Sequence, residues 1–283
     1  MAAPTRPGIG TVPELPEVET VVRGLRSQIV GETFAQVEVL HPTLIVQGDR
    51  DAFREGLLDC TIRDVTRRAK FLCFHLSPKG YLLGHLRMTG KFIVAETEPS
   101  LDKHQRVRFQ FQSGRWLVFS DVRCFGTLEV LNTLEESHAL ANLGLEPLSS
   151  DFTPDSLRNP FQRTSRNIKS VLLDQRVIVG IGNIYASEIL YRIGIHPERP
   201  AQQIRPKERK QLVATTKSVL QEAVAMNGTS ISDFRRVDDK TGEFQEFLRV
   251  YGKDGSPCGT CGTPIQRIVQ QQRSSFFCPT CQR

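Results

Sequence analysis

The chain has 283 residues, 39% hydrophobic and 24% charged, a balance that fits a folded globular protein of two domains and excludes a disordered, fibrous or low-complexity one. Thirty-seven lysines and arginines against thirty-one acidic residues leave a formal charge of +6 and a pI near 9.0, which favours a polyanionic partner without proving one. No apolar run approaches the ~18 residues of a membrane span, and the opening MAAPTRPGIGT lacks the apolar segment of a secretory signal, so the expectation is an intracellular, cytoplasmic protein with no membrane partner.

In chain order, the first pattern follows TVPELPEVET, residues 11–20. Leu15, Val18, Val22, Leu25 and Ile29 recur at steps of three and four, which predicts a helix between Pro13 and Val30. Residues 33–131 read mostly as strands. Arg106 to Phe111 alternates polar and apolar, and WLVF resumes after Ser113-Gly114, the signature of a hairpin. The composition changes near residue 150, after which IKSVLLDQ, NIYASEILYRI and RKQLVATTKSVLQEAVA carry helical spacing. This places a domain boundary between Asn132 and Asp155.

The most specific chemical signal is at the end of the chain. Cys258, Cys261, Cys278 and Cys281 form C-x2-C-x16-C-x2-C, each pair beside turn formers in SPCGTCG and FCPTCQR. Two residues between cysteines let one tight turn aim both sulfurs at a tetrahedral ion, and the sixteen between the pairs suffice for a β-hairpin. The expectation is one structural Zn2+, because four thiolates leave no open position for catalysis. Such a site lowers the overall formal charge by about two, so the positive charge that matters must be local. The other three cysteines, Cys60, Cys73 and Cys124, are scattered, form no disulfide pattern and receive no role.

Taken together, PELPEVET, RRAKFL, HLRMTG, DVRCFG, LLDQRVIVGIGNIYASEIL and the terminal cysteine hairpin resemble, in this order and over residues 13–283, the bacterial formamidopyrimidine-DNA glycosylases. The resemblance implies an α+β fold: an N-terminal two-layer β-sandwich with flanking helices (13–135), a helix-two-turn-helix domain (150–250), a zinc finger (251–283), and a cleft for damaged duplex DNA. It implies a monomeric bifunctional enzyme of base excision repair, which removes oxidised purines such as 8-oxoguanine and formamidopyrimidines and acts as an AP lyase by β,δ-elimination. No redox cofactor is implied.

Carried over residue by residue, the resemblance makes Pro13 the nucleophile whose secondary amine attacks C1′ of the damaged nucleoside, and Glu14 the acid-base residue beside it. A generic free α-amine has a pKa of ~7.8, so roughly a tenth is neutral at pH 7, against well under about a thousandth for an unperturbed lysine; proline is more basic than that, so the site must help. Glu17, one turn on, is expected to line the same pocket. Lys70 would assist β-elimination and hold a phosphate, and Arg273 would grip the phosphates flanking the lesion. An enzyme that everts a base must also fill the hole it leaves. Met88, Arg123 and Phe125 resemble that wedge, with Arg123 facing the orphaned cytosine. Asn183 is expected to cap a helix whose free N–H groups meet a phosphate, and His104 and Lys169 match DNA contacts. Residues between Asn227 and Gln245 correspond to a loop that closes over the lesion.

Pro13 is not the first residue of the sequence. Val12 stands where the family has its initiator methionine, and GTG encodes valine internally but methionine at a bacterial start, so residues 1–12 are expected to be absent from the mature protein. Two other readings stand beside this one. One is an endonuclease VIII-type glycosylase acting on oxidised pyrimidines; the other is a catalytically silent damaged-DNA-binding protein, should the leader be retained.

Overall fold

A computed structural model of the chain describes residues 12–229 and 242–283. These divide into two compact units, residues 12–141 with 227–229 and 242–243, and residues 142–226 with 244–283. The cysteine hairpin thus belongs to the same unit as the helices of residues 158–225, and residues 227–229 and 242–243 belong to the first unit. Residues 1–11 and most of the loop expected to cover the lesion (230–241) lie outside the described residues.

In the first unit, α1 (Leu15–Ile29) buries the whole apolar stripe Leu15, Val18, Val22, Leu25 and Ile29. Glu14 is its N-cap, and Pro16, in the first turn, supplies the fixed φ that suits a helix start. Pro13 lies one residue before the cap and is itself buried, so helix initiation does not account for it. The chain continues through β1 (Phe34–Val39), α2 (Arg50–Glu55), β2 (Thr61–Arg68), β3 (Phe71–Ser77), β4 (Tyr81–His85), β5 (Gly90–Ala95), β6 (Gln105–Phe111), β7 (Trp116–Asp121) and β8 (Thr127–Leu131). The expected hairpin is β6–β7.

Two four-stranded antiparallel sheets result, in the orders β1-β6-β7-β5 and β2-β3-β4-β8. Their inner faces share one apolar core. Phe92 of the first sheet meets Phe119 of its own sheet at 4.9 Å and Phe74 of the second at 5.3 Å. A buried phenylalanine in such a position contributes about 3–5 kcal/mol by the cost of truncating it. The chain passes from the first sheet to the second between β1 and β2, and two later changes of sheet, at 86–89 between β4 and β5 and at 122–126 between β7 and β8, are the crossovers that build the site. These crossovers must be neighbours, because Gly90 pairs with Asp121 in one sheet and His85 pairs with Thr127 in the other.

The second unit contains α3 (Arg158–Gln162), α4 (Ile168–Leu172), α5 (Asn183–Arg192), α6 (Pro206–Ala225) and the hairpin β9 (Gln266–Gln270) and β10 (Arg273–Phe277). Gln271 and Gln272, with φ of +47° and +62°, make the two-residue turn that matches strand twist in hairpins. Arg273 therefore stands at the tip, paired with Gln270. Among the described residues no helix is long and apolar enough to cross a membrane.

Candidate functional site

At the head of α1, Glu14 and Glu17 are both buried, each 2% exposed. Burying carboxylates is costly unless their oxygens are satisfied. Glu17 accepts the backbone N–H of Glu14 at 3.0 Å, the N–H of Thr229 at 2.7 Å and the Thr229 hydroxyl at 2.9 Å. It thereby fixes the turn carrying Pro13 and Glu14 and seats the chain just past α6 against it. Gly228 permits this approach: its φ is +76°, and a Cβ there would lie 2.8 Å from Glu17 Oε1.

Lys70 occupies the two-residue loop between β2 and β3, since Arg68 pairs with Phe71. Arg67 connects that loop to α1: its Nε donates to Glu19 at 3.1 Å and its Nη1 donates to the carbonyl of Ala69 at 2.8 Å. Sequence reasoning missed this arginine because nothing local distinguishes it from the neighbouring Arg68. His85, at the end of β4, is buried and its Nδ1 accepts the N–H of Arg87 at 2.9 Å. Burial first, then the cationic side chains of Arg87 and Lys70, push its pKa down to about 3, so the imidazole is neutral at neutral pH.

The two sheet crossovers bring the expected wedge residues together. Arg123 Nη1 donates to Met88 Sδ at 3.0 Å, and its guanidinium carbon sits 4.8 Å from the centroid of the Phe125 ring. Phe125 is half exposed and Arg123 is exposed, whereas Met88 is partly buried. Cys124 between them takes a left-handed φ of +55°. Asp121, which ends β7 and is fully buried, was not singled out by the sequence, where it reads as a strand-end residue before a turn. Its carboxylate accepts the N–H groups of Arg123, Phe125 and Gly126 and the hydroxyl of Thr89. His104 is partly buried, and its carbonyl accepts the Asp121 N–H at 2.9 Å.

In the second unit one expectation is corrected. The N-cap of α5 is Gly182, in extended conformation (φ −129°, ψ −157°), and Asn183 is already the first helical residue. Its side chain therefore does not cap the helix, and its Oδ1 is buried without a hydrogen-bond partner among the described residues. Lys169, at the start of α4, is 1% exposed, and its ammonium donates to the Ser274 carbonyl at 2.9 Å and the Ser275 hydroxyl at 2.7 Å. In this structure it braces β10 next to the exposed Arg273. Glu188 of α5, also buried, accepts the N–H groups of Arg249, Val250 and Tyr251, each at 2.9 Å, and so fixes the entry to the cysteine hairpin.

The four sulfurs of Cys258, Cys261, Cys278 and Cys281 all lie within 4.8 Å of one another, with Cys261–Cys278 at 3.5 Å and Cys258–Cys281 at 3.9 Å. A tetrahedral ion with Zn–S bonds of about 2.3 Å needs sulfurs about 3.8 Å apart, so the donor set fits zinc. Burial raises the Cys258 thiol, but the Tyr191 hydroxyl and the N–H groups of Thr260 and Cys261 outweigh it and bring the pKa down to about 6, whereas the hydrogen bond with Cys261, burial and the other sulfurs push Cys281 up to about 12. Four thiolates would complete the coordination of such an ion, which makes its role structural, closing the hairpin.

Three family models match in succession: the formamidopyrimidine-DNA glycosylase N-terminal domain over residues 12–128, its H2TH domain over 143–235, and the zinc finger found in FPG and IleRS over 255–283. The formamidopyrimidine-DNA glycosylase of Bacillus cereus is 42% identical over 274 residues, covering 96% of this chain and 99% of that protein. A Lactococcus lactis Fpg in complex with DNA containing an abasic site superposes with a TM-score of 0.89 at 35% identity, over 95% of this chain and 99% of that one. The same enzyme bound to DNA containing Fapy-dG gives 0.88 at 35% identity, over 95% and 100%.

Proposed function

The chain belongs to the formamidopyrimidine-DNA glycosylase family, and from that premise we propose how its own residues carry the reaction. The protein is a bifunctional DNA glycosylase and AP lyase of base excision repair that acts on damaged duplex DNA. Its substrates are oxidised purines, 8-oxoguanine and formamidopyrimidines, and preformed abasic sites. It works as a monomer in the compartment that holds the DNA, the cytoplasm.

Pro13 is the nucleophile. Its unacylated secondary amine attacks C1′, the C1′–N bond breaks, and the base leaves with the bonding pair and takes up a proton. Glu14, the adjacent buried carboxyl, protonates the sugar ring oxygen as the ring opens to the iminium, then shuttles the protons of elimination. Glu17 holds that turn in place through the Glu14 N–H and lines the pocket. Lys70 assists loss of the 3′ phosphate in β-elimination, and Arg273 supports δ-elimination at the 5′ side by binding the phosphates.

Met88, Arg123 and Phe125 fill the space left by the everted nucleotide, with Arg123 offering two donors to the orphaned cytosine. His104 and the N-terminus of α5, including Asn183, bind backbone phosphate. Lys169 serves phosphate binding by holding β10 and hence Arg273.

The observation that carries this reading is the burial of Pro13 and Glu14 ahead of a helix whose start is already served by Pro16. Borohydride added to a mixture of the protein in the form that begins at Pro13 and an 8-oxoguanine:cytosine duplex should reduce the iminium and leave a covalent adduct on Pro13. Binding without any adduct would overturn it in favour of a silent DNA-binding protein.

A further inference from the structure

We propose that Asp121 is the positioning residue of the wedge: its carboxylate preassembles the two crossover loops that carry Met88, Arg123 and Phe125. This rests on the reading of those three residues as the wedge. Both carboxylate oxygens of Asp121 tie down these loops, while its main chain is anchored to His104 and Arg106. Oδ1 accepts the Arg123 N–H at 3.1 Å and the Thr89 hydroxyl, so one oxygen bridges both crossovers. Oδ2 accepts the N–H groups of Phe125 at 2.9 Å and Gly126 at 2.7 Å. The main-chain N–H donates to His104, and the carbonyl accepts Arg106 Nε at 2.7 Å.

The physical need for such a clamp is local. A five-residue crossover containing left-handed Cys124 has no regular hydrogen bonding of its own, and non-glycine residues hold that conformation only where the surroundings dictate it. Collecting the N–H groups of residues 123, 125 and 126 on one carboxylate dictates it. Gly126 is part of the same device, since a Cβ there would lie 2.6 Å from the Phe119 ring and 3.0 Å from Asp121 Oδ2. A wedge must separate stacked bases, and a loop that had to order itself at the same moment would add its own entropy to that cost. The clamp removes the ordering step, and the Arg123 contacts with Met88 and Phe125 are already made in the free protein.

Asp121→Asn is the informative variant. With its NH2 in the Oδ2 position the amide would face the N–H groups of Phe125 and Gly126, so the NH2 takes the Oδ1 position, where it can donate to the Thr89 hydroxyl but loses the Arg123 N–H, and the charge that strengthened the remaining bonds is gone. The expected result is a loss of about tenfold or more in kcat/KM for 8-oxoguanine opposite cytosine, with narrowed discrimination against adenine. Cleavage of a single-stranded abasic oligonucleotide, which needs no wedge, should fall far less. A 2-aminopurine placed beside the lesion should brighten on binding wild-type protein, as its neighbours unstack, and brighten less with the variant.

Thr89→Val, which keeps the shape but removes the hydroxyl that donates to Asp121 and accepts the Arg123 N–H at 3.1 Å, should move the same readouts in the same direction, and Thr89→Ser should restore them. This pair decides the matter if Asp121→Asn does not fold. Folded Asp121→Asn with wild-type discrimination and fluorescence, alongside an impaired Arg123→Ala control, would overturn the clamp while leaving the wedge intact. An Arg123→Ala control that itself discriminates normally would overturn both.

Discussion

The Tyr191 hydroxyl of α5 lies 3.2 Å from Cys258 Sγ and 2.9 Å from Thr260 Oγ1, so a helix of the second unit reaches directly into the cysteine cluster. Groups that hydrogen-bond metal ligands orient them and typically change metal affinity by ~10–100-fold. Tyr191→Phe keeps the ring and removes the donor. Zinc should pass to a chromogenic chelator about tenfold faster from this variant than from wild type. Equal release rates would show that the hydroxyl does nothing for the metal. Cys278→Ser should go further, losing both the zinc and the cleavage of lesion DNA, because the hairpin that presents Arg273 is closed by that ligand.

The same helix holds the hairpin at a second point. Glu188 satisfies three consecutive N–H groups at residues 249–251, immediately before the finger. Tyr251 then packs its ring on Phe276 of β10 at 5.1 Å. In Glu188→Gln an NH2 must face either the Arg249 N–H or the pair at Val250 and Tyr251. The expected cost is about 2 kcal/mol, a drop of roughly 4–8 °C in Tm for a protein of this size. An unchanged melting temperature would mean that those N–H groups find other partners.

How much of this the sequence showed depends on how local each signal is. The cysteine spacing, the α1 stripe and the β6–β7 hairpin are written in residues close together, and their physical rules are short-ranged. Asp121 is different: its carboxylate is satisfied by residues two to five positions on and by Thr89, and no periodicity marks a strand-end aspartate as the centre of two loops. Tyr191 is 67 residues from Cys258 and looks like one more apolar position of a helix. Asn183 was misplaced by one residue because Gly182, with no side chain to bond, is a cap that only its backbone angles reveal. Lys169 reads as a surface cation by residue type, and only the packing of α4 against β10 buries it.

His85 gives the fold an acid sensitivity with a definite sign. Its pKa is about 3 in the folded protein against 6.5 for the free side chain. Between pH 6.5 and 3 the unfolded chain therefore binds a proton that the folded one does not, so stability is full above pH 6.5 and falls as the pH drops. From pH 7 to pH 5 this one group should remove about 2 kcal/mol. His85→Gln, which keeps an acceptor and cannot titrate, should flatten the plot of denaturation midpoint against pH by that amount across the window. Parallel plots for the two proteins would place the acid sensitivity elsewhere.

The chemistry proposed for Pro13 requires an unacylated nitrogen, and in the sequence as written that nitrogen is joined to Val12. A prolyl nitrogen in a peptide bond is a tertiary amide with no nucleophilic lone pair, so attack on C1′ through it is impossible while residues 1–12 remain. Initiation at Val12 on a GTG codon, followed by removal of the methionine, would leave Pro13 first; proteolysis is a second route to the same end. Intact-mass measurement and N-terminal sequencing of the protein from its native source should therefore find a chain beginning at Pro13. Two recombinant forms extend the test. The form beginning at Pro13 should give the borohydride adduct and cleave an 8-oxoguanine duplex, whereas the form with an intact leader should bind the duplex and do neither. Cleavage at full rate by protein whose mass shows Met1–Val12 still attached would remove Pro13 from the mechanism and require another amine to form the iminium.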